Sequence, residues 1–95
     1  MMNEKEIRAK VQAERIDDWG VDSVNWELLE KYEGVGFEDV TSLDLSSNEL
    51  TSLPDSIGNL VNLTNLNLIK NHLTSLPASI GNLVNLTELG LWDNE

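Results

Sequence analysis

The sequence predicts an α/β fold: a short solenoid of about two and a half stacked coils behind two N-terminal helices. Three observations predict it. The segments Val40–Asn62 and Leu63–Asn85 agree at 16 of 23 aligned positions, so the chain repeats at a fixed interval. Leucine alternates with polar residues at the start of each copy, as at Leu43 and Leu45 between Ser42, Asp44 and Ser46, which is the pattern of a strand with one buried face. The residues before Val40 do not repeat, and they carry helix-like apolar spacing among charges. Units that recur every twenty-odd residues bury their apolar sides against one another rather than alone.

The repeat fixes each element in turn. Leu43, Leu66 and Leu89 share one register position, and Leu45, Leu68 and Leu91 share another. Leu50 and Leu73, Leu53 and Leu76, Ile57 and Ile80, and Leu60 and Leu83 complete the apolar columns. Short strands are predicted at 42–46, 65–69 and 88–92. One strand per coil makes neighbours parallel. Pro54 and Pro77 suit the first position of a short helical turn, where a missing N–H costs nothing, and Gly58 and Gly81 suit its end. The space allows about one turn of 3₁₀ or α structure. Asn48, Asn71 and Asn94 recur where the chain leaves each strand. A carboxamide offers two donors and an acceptor, so these three are read as structural, satisfying backbone groups inside the coil.

The unit L-x-x-L-x-L-x-x-N-x-L, continuing as L-x-x-L-P-x-x-I-G-N-L-x-N-L, resembles the leucine-rich repeats in their 23-residue form. That form is common in bacterial and plant intracellular proteins. The resemblance runs without gaps from Val40 to Glu95. It implies a right-handed coil bent into a short horseshoe, with a parallel sheet on the concave face, used for binding proteins.

The first 39 residues read as a two-helix cap. Ile7 and Val11 stand four apart, as on an amphipathic helix over Glu4–Arg15. A second helix starts at Asp22 or Ser23 as N-cap; with Asp22 as the cap, Val21 and Trp26 occupy the two positions of a hydrophobic staple. Val24, Leu28 and Tyr32 line one face of it, and Gly34 closes it. Trp19 and Trp26 are expected in the core of the cap, because large aromatics supply most of the buried area available to so small a unit. The domain organisation is therefore 1–39 as cap, 40–62 and 63–85 as full repeats and 86–95 as a partial one, all in one structural domain.

Composition narrows the function. Seventeen acidic residues against six basic ones leave a formal charge of −11, which repels phosphate backbones and anionic lipid heads, so neither nucleic acid nor a membrane is an expected partner. There is no cysteine, hence no disulfide and no thiolate metal site. No apolar run serves as a signal core or spans a bilayer, so a cytoplasmic protein is expected. His72 is the single histidine and aligns with Glu49, a turn position, which makes it a surface residue rather than a metal ligand. Asp17, Asp18 and Asp22 lack the spacing of a calcium loop. Gly34–Gly36 lacks that of a phosphate loop and reads as a linker. Asn62–Thr64 and Asn85–Thr87 match the glycosylation pattern without a secretory signal. No carboxylate pair is placed for acid–base work. No enzyme, cofactor or metal is expected.

Function lies in what differs between the copies. The outward strand positions change from coil to coil: Ser42, Asp44 and Ser46, then Asn65, Asn67 and Ile69, then Glu88, Gly90 and Trp92. These nine form the expected partner-binding surface for a protein or peptide, with Ile69 and Trp92 as apolar anchors. Three strands span only ~10 Å between outer axes. The strand at 88–92 is also an open edge that invites another strand, and pairing with a second copy about a two-fold axis predicts a homodimer. The alternative reading is a structural or regulatory N-terminal segment of a larger protein of this type, such as one carrying a GTPase or kinase.

Overall fold

The structure, a computed structural model, describes residues 2–14 and 26–94. The expectations for Arg15, Asp17, Asp18, Trp19, Val21, Asp22, Ser23 and Val24 lie outside the described residues. The chain runs as helix α1 (Glu4–Glu14), helix α2 (Trp26–Lys31), strand β1 (Ser42–Asp44), a 3₁₀ turn (Asp55–Asn59), strand β2 (Asn65–Asn67), a second 3₁₀ turn (Ala78–Asn82) and strand β3 (Glu88–Gly90).

The strands form one parallel sheet in the order β1-β2-β3. Leu43 pairs with Leu66, and Leu66 with Leu89, so the leucine columns stack as the period requires. Each strand is three residues long rather than the expected five, because the chain begins to turn once its third residue is placed. Asp44 Oδ1 accepts the Ser46 N–H at 2.9 Å, and Asn67 Oδ1 accepts the Ile69 N–H at 3.0 Å, the side-chain turn that competes with a ladder. Cross-coil bonding continues past the strands: Leu45 N–H donates to the Asn67 carbonyl, and Leu68 N–H to that of Gly90. Ser47, Lys70 and Asp93 then take left-handed backbone, with φ near 60°.

The asparagines bind coil to coil. Asn71 is buried; its Nδ2 donates to the Leu45 and Leu68 carbonyls, and its Oδ1 accepts the N–H groups of Asn48 and Leu50, all at 3.0 Å. Asn94 repeats this one coil later, with Nδ2 on the Leu68 and Leu91 carbonyls at 2.8 Å and Oδ1 on the Leu73 N–H. Asn48 reaches only the Ser46 carbonyl in its own coil. Pro54 and Pro77 stand one residue before the expected place, as the extended residues preceding each 3₁₀ turn (ψ about 150°).

Ahead of β1, Asn3 caps α1 by accepting the Glu6 N–H. Leu28 and Leu29 of α2 are buried in the same core as Leu43 and Ile57, and Trp26 and Tyr32 pack half-buried against it. Helix α2 ends one residue earlier than expected. Glu33, at φ 54°, takes the left-handed position, and Gly34 follows it with its N–H on the Leu29 carbonyl, the double-bonded ending of a Schellman motif.

The Gly34–Gly36 segment is a seat rather than a linker. A Cβ on Gly34 would collide with the Asn59 carbonyl oxygen of the first coil, and one on Gly36 would lie 2.7 Å from the Val11 side chain. Phe37, almost fully buried, joins the same hydrophobic core as Leu43, Leu45 and Ile57 of the first coil. Arg8 clasps Glu38 through both terminal guanidinium nitrogens at 2.8 Å. This contact, reinforced by the Gly36 N–H, holds the Glu38 carboxyl below its ordinary range.

Candidate functional site

The outward side chains of the sheet meet in one place. Ser42 and Asp44 of β1, Asn65 and Asn67 of β2, Glu88 and Gly90 of β3, and Ile69 line a shallow depression of about 320 Å³, floored by Leu43 and Leu66. Seven of the nine expected surface residues therefore lie together. Ser46 and Trp92 fall outside its lining. Trp92, two residues beyond Gly90, is 64% exposed. Tryptophan is among the residue types enriched at protein interfaces.

The strand alternation explains why these side chains face outward. Leu43 and Leu66 are almost fully buried, whereas Ser42, Asp44 and Glu88 are exposed and Asn65 and Asn67 half-buried. The polar groups are not equally free. Asp44 Oδ1 accepts both the Ser46 hydroxyl at 2.6 Å and its N–H. These bonds stabilise the charged form and lower the Asp44 pKa from its ordinary value. Asn67 Oδ1 is likewise committed to the Ile69 N–H. Asp44 and Asn67 therefore both close a strand and face the surface, a double duty that the sequence reading missed. Its signal was an acid or amide two residues before the chain departs.

Gly90 sets the depth. A Cβ there would meet Ile69 Cδ1 at 2.9 Å and Asn67 Oδ1 at 3.2 Å, so Ile69 leans across the glycine instead of standing free. Strand β2 lies between β1 and β3, and Asp44 and Glu88 thus stand on non-adjacent strands. Among the described residues, no group of three or more acidic, histidine or cysteine side chains is arranged to hold a metal, and no helix is long and apolar enough to cross a membrane. His72 sits exposed in the turn after β2.

The outer side of β3 is a second surface. Leu89 and Leu91 are more than a third exposed, whereas their register equivalents Leu43, Leu66 and Leu68 are buried. The two 3₁₀ turns show the same asymmetry. A Cβ on Gly58 would lie 2.6 Å from the Ser79 carbonyl oxygen of the next coil, while one on Gly81 would meet nothing within 4 Å.

A leucine-rich-repeat family model matches residues 38–95. A solved leucine-rich-repeat protein of Leptospira interrogans is similar in structure, with a TM-score of 0.61 and 40% identity over 74% of this chain. The match spans only 16% of that longer protein. No curated protein matches the chain significantly. Leucine-rich repeats are generally non-enzymatic scaffolds that typically bind proteins; with its repeat register, parallel sheet and matched segment, this chain belongs to that family.

Proposed function

We propose that the protein is a non-enzymatic recognition module that binds protein or peptide through the concave sheet. The N-terminal helices cover the first coil and leave the sheet face accessible, as the polar cap of a short right-handed solenoid. The observation that carries this reading is the gathering of the coil-variable residues into one depression beside an exposed Trp92. A photoreactive residue at position 67 is expected to cross-link a partner protein, and the same group at Asp55, on the far side of the coil, to cross-link none. Trp92→Ala should weaken that capture about tenfold or more, the effect of removing an aromatic hot spot. Equal cross-linking from both positions would refute the concave reading.

A second surface supports self-association. By repeat register, Leu91 and Asp93 stand where Leu68 and Lys70 donate their N–H groups to the next coil, and among the described residues no strand flanks β3 on that side. We infer that two copies pair there, edge to edge about a two-fold axis, joining their sheets and widening the concave face. Sedimentation at high micromolar concentration is expected to give twice the chain mass. Added salt should strengthen the pair, because each copy carries −11. Gly81→Lys places a charge on the open side without touching the chain's own packing, so it should yield a folded monomer. A wild-type monomer under these conditions would exclude the dimer.

A further inference from the structure

The concave depression has a chemistry that selects among partners. We propose that it receives a basic side chain, arginine above all, presented by an extended, apolar-flanked segment of a partner protein. The proposal rests on the concave reading above and adds to it the class of ligand.

Two carboxylates border the depression from opposite strands, Asp44 on β1 and Glu88 on β3, and every other lining residue is uncharged. From residue 41 onward the chain holds six acids and a single base, Lys70. That lysine sits exposed in the turn after β2 and is not part of the lining. Both protein hydrogen bonds to Asp44 fall on Oδ1, so Oδ2 keeps its acceptor capacity. The outer strand axes stand ~10 Å apart, with uncharged Asn65 and Asn67 between them. A cation entering over β2 therefore lies between the two carboxylate-bearing strands, ~5 Å from each strand axis.

Arginine fits this frame better than lysine does. Its planar fork carries five donors, enough to divide between a carboxylate oxygen and a side-chain amide oxygen, and it gives up its hydration more readily than an ammonium. Ile69, leaning across Gly90, supplies an apolar wall against which the stem can lie. An acidic segment meets the opposite conditions and is repelled, both at the site and by the field of the whole chain.

The test uses a six-residue peptide alternating leucine and arginine, and its leucine–glutamate counterpart, titrated into the full chain at low and physiological salt. Amide shifts mapped by NMR report where each peptide binds. The arginine peptide is expected to bind and to move the signals of Asn67 and Gly90, with affinity falling as salt rises, while the glutamate peptide leaves them unmoved. Asp44→Asn with Glu88→Gln should weaken binding roughly tenfold. Glu49→Gln with Asp55→Asn removes the same charge elsewhere and should change it less than about twofold. Equal losses in the two double variants would mean general attraction to an acidic chain, and the site proposal would fail. Equal binding of both peptides at Asn67 and Gly90 would sink the basic preference while leaving the concave reading intact. Shifts confined to residues off the sheet would overturn both.

Discussion

Asn71→Ala is expected to lower stability by about 3–5 kcal/mol, because it strands two buried and two part-buried backbone groups at once. The amide of Asn71 serves the carbonyls of Leu45 and Leu68 and the N–H groups of Asn48 and Leu50. Alanine offers none of these bonds. Each buried polar group left unpaired costs on the order of 1–3 kcal/mol, with partial relaxation reducing the sum. Small domains hold only about 5–15 kcal/mol in total, so the variant sits at the margin of folding. Asn71→Asp should do no better, since a carboxylate has no donors for the two carbonyls. Asn94→Ala, at a half-exposed position with three such bonds, should cost less than half as much. Urea unfolding followed by circular dichroism measures all three. An Asn71→Ala midpoint close to wild type would show that the asparagine ladder is not what holds the turns.

Gly58→Ala comes second, at roughly 1–3 kcal/mol, the usual cost of forcing extra volume into a close-packed contact. The added methyl would meet the carbonyl oxygen and Cβ of Ser79 at 2.6 and 2.7 Å. Much of what it meets is backbone, so no side-chain rotation relieves it, and the two coils must separate. The same change one repeat later, Gly81→Ala, meets open space and should shift stability by less than about 0.5 kcal/mol. Identical residues in identical local sequence thus behave differently for a reason that lies wholly in the neighbouring coil. Thermal melts of the pair at low micromolar concentration make the comparison. Equal losses would point to a local backbone requirement and away from coil-to-coil packing.

The stacking of Leu43, Leu66 and Leu89 was legible because a period acts on every coil at once, so one alignment places all the strands. The asparagines were legible for the same reason. What escaped has no periodic signal or an ambiguous one. Phe37 occurs once, between a glycine and two acids, and only the packed joint reveals it as core. The left-handed turn at Ser47, Lys70 and Asp93 is imposed by the coil on three different residues, none of them glycine, so local preference gave no warning. Gly34 and Gly36 were read by motif spacing alone, whereas their role lies in what approaches them across the fold. At the surface, the sequence identified which side chains face outward, since alternation decides that. It did not reveal that Asp44 and Asn67 spend one oxygen on their own backbone, or that Ile69 fills the space over Gly90.

Burial thins from coil to coil. Three residues of the first 3₁₀ turn are buried and none of the second, and the middle residue of each strand passes from buried in β1 and β2 to exposed in β3. A gradient of this kind gives unfolding a direction. The end distant from the helices frays first, its amides exchange with solvent fastest, and the rungs beside Phe37 are the last to let go. Since β3 supplies Glu88 and Gly90 to the depression, the proposed recognition surface includes the looser end of the described coils, and a ligand bound there would tighten it.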